Sequence, residues 1–171
     1  MLVEIRQETT CYYSSPRHQG SIWGRFFYIH EGRGILQANS EGLKLIRDSG
    51  TLKLPFKNIK SVGLGLFSRF AKPAGLMYLD LKYTTEDGDF AEIHLVPFKS
   101  MFDPTWATSQ MVQSWYETLR DQEELQGRIE PPTFDPPRNS PEKKRLFQIL
   151  ILGIPLLLLT AALFGLLLLR R

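Results

Sequence analysis

The side chains in this sequence that could do chemistry are few and scattered. His18, His30 and His94 share no metal-ligand spacing, and Cys11, the single cysteine, stands in no nucleophile or redox motif. The sequence has no Gly-x-Ser-x-Gly elbow, no phosphate-cradling glycine loop and no paired-cysteine site. Glu86-Asp87-Gly88-Asp89 has oxygen ligands suited to calcium but lacks the later ones of a loop pattern, and a hairpin turn accounts for it. Catalysis, a metal and a cofactor are therefore not expected. The set with binding potential is basic and aromatic: Lys57, Lys60, Arg69 and Lys72, with Phe67 and Phe70 interleaved on the loop at residues 65–75. Cations near an anionic surface gain about 1 kcal/mol each and aromatic rings can enter a headgroup layer, so this set suits contact with anionic lipid. The alternative is a solvated loop whose phenylalanines fold back into the core.

The elements that must position these residues read mainly as short strands. Residues 1–31 are the least regular: 2–8 reads as a short strand, 14–20 as a loop, and 21–30, dense in Trp23, Phe26, Phe27 and Tyr28, as a strand. From Gly34 onward short alternating runs recur, at 35–38, 43–47, 51–56 and 59–64, with Asn39-Ser40-Glu41-Gly42 and Asp48-Ser49-Gly50 as turns between them. The clearest hairpin follows. Met77, Leu79, Leu81 and Tyr83 alternate with polar residues, Asp87-Gly88 supplies the turn, and Ala91, Ile93 and Leu95 line one face of the return strand, which Pro97 ends or edges. One amphipathic helix comes next, capped by Asp103 with Pro104 at its first position, and with Met111, Val112, Trp115 and Leu119 on one face. The fold expected is mainly β with one closing helix.

Beyond residue 126 the composition changes twice. Residues 127–145 hold Pro131, Pro132, Pro136, Pro137 and Pro141 and end in Lys143, Lys144 and Arg145, the pattern of an extended spacer with a basic juxtamembrane end. Residues 146–169 carry no charge and precede Arg170 and Arg171. As a helix this run rises about 36 Å, enough to cross a hydrocarbon layer of about 30 Å. A single transmembrane helix and a tail-anchored chain are expected, with the basic residues on either side at the headgroups. Ala161 and Gly165 form a small-x-x-x-small pair through which two copies could approach as a homodimer. Setting aside Arg170 and Arg171, 19 basic residues stand against 18 acidic ones, a balance that does not suggest nucleic acid. The N-terminus has no apolar run of export length, so residues 1–126 are expected as one domain on the cytosolic side.

Short antiparallel strands with Asn39-Ser40-Glu41-Gly42 near the first hairpin, then Leu54-Pro55-Phe56-Lys57-Asn58-Ile59-Lys60-Ser61-Val62, a long hairpin and one closing helix, resemble the pleckstrin-homology-like superfold in its GRAM and bacterial branches. The resemblance covers about residues 34–124. It implies an antiparallel β-barrel or sandwich closed by a C-terminal helix, acting as a binding module for anionic lipids such as phosphoinositides or for protein segments. Many lipid-binding members carry basic residues around the first hairpin, whereas the turn here is Asn-Ser-Glu-Gly. The expectation is a non-catalytic adaptor that holds a protein partner, or a subunit of a membrane complex, at the membrane, with direct lipid sensing as the alternative.

Overall fold

The computed structural model of the protein describes residues 5–21, 30–67, 75–132 and 134. Seven strands form one antiparallel sheet: β1 (Ile5–Ser14), β2 (Gly32–Asn39), β3 (Gly42–Arg47), β4 (Gly50–Pro55), β5 (Ile59–Leu66), β6 (Met77–Thr84) and β7 (Phe90–Phe98). A short helix, α1 (Pro16–Gly20), follows β1, and the 16-residue helix α2 (Thr105–Arg120) follows β7. The order across the sheet is β4-β3-β2-β1-β7-β6-β5. β1 thus joins two meanders, pairing with β2 on one side and with β7 on the other. β4 and β5 stand at opposite ends of that order, yet only the 3₁₀ turn Phe56–Asn58 connects them. The twisted sheet must therefore curl until its two edges approach one another.

The curl encloses the core. On its inner face Leu36, Leu45, Leu54, Leu79, Leu81 and Leu95 are buried, and α2 closes the β5-β6-β7 side with Val112, Trp115 and Leu119, all fully buried. The Ser109 hydroxyl accepts from the Met77 N–H at 3.3 Å and ties the helix to the start of β6. Burial alternates along β6 as its sequence implies, and Gly88, at a φ of 90°, makes the turn to β7.

Several expectations need correction. Of the first 31 residues, 5–14 belong to the domain's sheet, since β1 is its middle strand, and residues 16–20, expected within a loop, form α1. Asn39-Ser40-Glu41-Gly42 is consequently the second hairpin turn; the first connection is the long one between Ser14 and Gly32. Of the segment expected as a strand at 21–30, residues 22–29 lie outside the described residues. Pro97 stands one residue before the end of its strand. β7 runs to Phe98 with Pro97 opposite Cys11, and β7's recorded pairing with β6 stops at Leu95, so Pro97 lies beyond that ladder. Asp103 does not cap α2, whose N-cap is Pro104; its carboxylate accepts instead from the Ser100 N–H at 2.8 Å.

The spacer expected from Gly127 also begins later. Leu125 is fully buried, and Arg128 donates to the carbonyls of Phe56 at 2.9 Å and Ile59 at 2.8 Å. Val62 exchanges backbone hydrogen bonds with the same strap, its N–H to Arg128 O at 2.9 Å and its carbonyl from Glu130 N–H at 2.8 Å, and Ile129 forms a parallel bridge to it. Tyr116 donates to Glu130 O at 2.8 Å. Pro131 and Pro132 have no N–H to continue the pairing, so the strap stops there as a ladder. The chain forms two compact units, Met1–Pro136 and Pro137–Arg171, and the second lies outside the described residues. That includes residues 146–169; among the described residues no helix is long and apolar enough to cross a membrane. At about 1 kcal/mol per hydrogen bond, a chain stopped after Gln126 is expected to be at least about 3 kcal/mol less stable than one stopped after Pro136. Urea unfolding of the two measures it, and equal midpoints would show that the strap contributes nothing.

Candidate functional site

The outward face of β1, β7 and β6 gathers the polar chemistry of the described residues. Because side chains on a strand alternate, the outward positions of β6 are Tyr78, Asp80 and Lys82, and antiparallel register sets Asp80 opposite His94 and Lys82 opposite Glu92. On the other flank of β7, Ser14 lies opposite His94 and Tyr12 opposite Val96. This face is not solvated as an outward face usually is: His94, Val96 and Phe98 are buried. A row of rings covers it. Tyr12 stacks on Phe98 at 4.3 Å and on His30 at 4.5 Å, His30 meets the edge of Phe67 at 6.1 Å, Phe67 lies 4.5 Å from Tyr78, and Tyr78 lies 4.3 Å from His94. Gly65, opposite Tyr78, makes room for that ring, since a Cβ at Gly65 would come within 2.1 Å of it.

Beside the row lies a compact polar cluster. His94 Nε2 is 2.9 Å from Glu92 Oε1 and 3.6 Å from Asp80 Oδ1. Lys82 Nζ is 3.8 Å from Asp80 Oδ2 and 3.4 Å from Glu130 Oε1 on the C-terminal strap. Burial, then the nearby Glu92 charge, raises the Asp80 carboxyl above the ordinary carboxylate range. Burial also raises the Tyr78 phenol, with Asp80 and Glu92 adding to it. For Lys82 burial opposes the charge, but Asp80 and Glu130 outweigh it and hold its ammonium above its usual value. A hydrogen bond from Ser61 lowers Glu130; burial works against it and Lys82 with it.

This arrangement can hold a proton or a cation between carboxylates and an imidazole. It has no nucleophile among the described residues. Ser14, buried beside His94, donates to Ser15 O at 3.4 Å. Cys11 is fully buried, burial pushes its thiol well above the usual range, and the thiol is directed to the Tyr12 carbonyl at 3.1 Å.

Of the basic and aromatic set expected from the sequence, only Lys57, Lys60 and Phe67 lie among the described residues. Lys57, in the 3₁₀ turn, and Lys60, at the start of β5, are exposed. Phe67 follows the other end of the same strand, about 23 Å from Lys60 at about 3.3 Å per residue. Phe67 is also only 6% exposed, its ring held between His30 and Tyr78, so as a lipid-contacting side chain it is corrected: the ring serves the fold. Arg69, Phe70 and Lys72 lie outside the described residues, as do Lys143, Lys144, Arg145, Ala161, Gly165, Arg170 and Arg171. Two features went unread. Asp80, Glu92 and His94 were available from hairpin register, because counting back from Asp87-Gly88 sets Asp80 against His94. The second is apolar exposure on the β7–α2 connection, where Met101 is 65% and Phe102 94% exposed. Met101, but not Phe102, lines a groove of ≈ 340 Å³ together with Tyr12, His30, Leu76, Val96 and Phe98.

Comparison with protein-family models gives no match, and comparison with curated proteins gives none either.

One consequence of the ring row is a pH dependence. Burial, and then the neighbouring His18, push the His30 imidazole down from 6.5 to about 4. The unfolded chain takes up this proton near 6.5 and the folded chain only near 4, so His30 withdraws stability as pH falls through that window and restores it fully above 6.5. His30→Phe, which keeps a ring against Tyr12, should flatten this part of the profile. Urea midpoints of both chains between pH 7 and pH 4.5 measure it; parallel profiles would assign the dependence to another group.

Proposed function

We propose that the chain is a membrane-tethered, non-catalytic recognition module of pleckstrin-homology-like architecture, which holds a protein partner at the cytosolic face of a membrane. The strand order β4-β3-β2-β1-β7-β6-β5, with a single helix across the β5-β6-β7 side, supports that architecture. The charge-free run at residues 146–169 supports the tether. The observation that carries the protein-binding reading is the exposure of two adjacent large apolar side chains, Phe102 almost completely and Met101 by 65%, with Met101 also lining a groove. Large aromatic and methionine side chains are enriched where protein interfaces are most buried, and an exposed phenylalanine next to an exposed methionine offers an anchor of that kind. Direct lipid sensing draws less support, because Phe67, one of its two expected ring contacts, is buried.

Two measurements on the same protein test this. In cell membranes, alkaline extraction should retain the full chain and release a chain stopped after Pro136. A photo-crosslinking residue at position 101 should yield a discrete protein adduct, and Phe102→Ser should reduce that adduct about tenfold or more, the loss of an interface anchor. Release of the full chain by alkali would end the tether. Salt-sensitive flotation of the shorter chain with anionic vesicles, abolished by charge reversal at Lys57 and Lys60, would replace the protein partner with a lipid.

A further inference from the structure

The Asp80, Glu92 and His94 constellation is independent of the recognition reading, and its geometry is specific. One ligand atom from each residue lies within 4.8 Å of the other two. For a small divalent cation bound at about 2.0–2.2 Å, neighbouring ligand atoms stand about 2.9–3.6 Å apart in octahedral or tetrahedral sites. The His94–Glu92 and His94–Asp80 pairs, at 2.9 and 3.6 Å, already match. All three side chains rise from two paired strands of the sheet, so a rigid frame sets their spacing.

Charge points the same way. Among the described residues, Asp80, Glu92 and Glu130 oppose one cation, Lys82, and Glu130 is the nearer of the lysine's two carboxylate partners. Asp80 and Glu92 are left facing one another with an imidazole between them. Each keeps some exposure, 20% and 28% of the side chain, whereas that of His94 keeps 7%. Two further observations mark a place for a ligand. Asp80 Oδ1 is buried and accepts no hydrogen bond among the described residues, and the deeply buried His94 directs Nε2 at the same point. We infer that Asp80, Glu92 and His94 form a binding site for a divalent first-row cation such as zinc, with its remaining positions open to water on the outer face of β6 and β7.

Two carboxylate oxygens and one imidazole nitrogen suit zinc or manganese, whereas calcium takes six to eight oxygens. Binding through Nε2 requires the proton there to move to Nδ1, which is free of other partners among the described residues. It also requires both carboxyls to be ionised.

Isothermal titration calorimetry of the full, tag-free chain in detergent micelles, with zinc chloride and separately manganese chloride, tests the site. One saturable site per chain is expected for at least one of the two metals. Glu92→Gln and Asp80→Asn, both near-isosteric and at partly exposed positions, should each weaken it roughly tenfold or more. Glu117→Gln on the exposed face of α2 serves as the control and should bind as the parent does. Because circular dichroism verifies that the variants fold, weakened binding reports on the ligands. Absence of saturable binding for both metals overturns the inference, and so does binding that Glu92→Gln and Asp80→Asn leave unchanged.

Discussion

The structure depends on β1 being paired on both sides. β2, β3 and β4 form one meander and β5, β6 and β7 another, and without β1 nothing in the sheet pairs β2 with β7. β1 gives each meander a fourth strand and makes a single sheet of them. Its register with β7, from Thr10 opposite Phe98 to Ser14 opposite His94, decides which β7 side chains enter the core. A slip of one residue would send Leu95 outward and His94 inward, so the placement of every polar group discussed above rests on this pairing.

A central strand has a second consequence. β7 lies between β1 and β6, and six consecutive residues, Ile93 to Phe98, are buried. The inward residues meet the core under α2, and the outward ones need a cover of their own. Tyr12, His30, Phe67 and Tyr78 supply it, and Gly65 lets the last of these lie flat. The cover makes the His94 neighbourhood a poor solvent for charge, which is why the Asp80 carboxyl and His30 imidazole both shift towards their neutral forms.

This architecture also explains what could be read without coordinates. Met77, Leu79, Leu81 and Tyr83 are visible because β6 has one buried and one half-exposed face, so composition alternates along it. Trp115 and Leu119 are visible for the equivalent helical reason. β1 is hidden because Thr9, Thr10, Cys11, Tyr12, Tyr13 and Ser14 face two partly covered surfaces and show no alternation. The strap is hidden by its prolines. They dominate the composition from residue 127, yet pairing with Val62 comes from Arg128 and Glu130 just ahead of them, too short a segment for any periodicity to register. The polar cluster fails for a different reason: His94 looks isolated when spacing is counted along the chain, and only hairpin register brings Asp80 to it.

The strap and the cluster are linked by one ion pair. Lys82 has Asp80 at 3.8 Å and Glu130 at 3.4 Å, and Glu130 is placed by the backbone bonds that hold the strap to Val62 and by the Tyr116 hydroxyl. While the strap is docked, the ammonium is shared, and Asp80 Oδ1 has no donor among the described residues. Residues 128–130 therefore enter the charge balance of the β6–β7 face, because a single lysine cannot satisfy both acids at full strength.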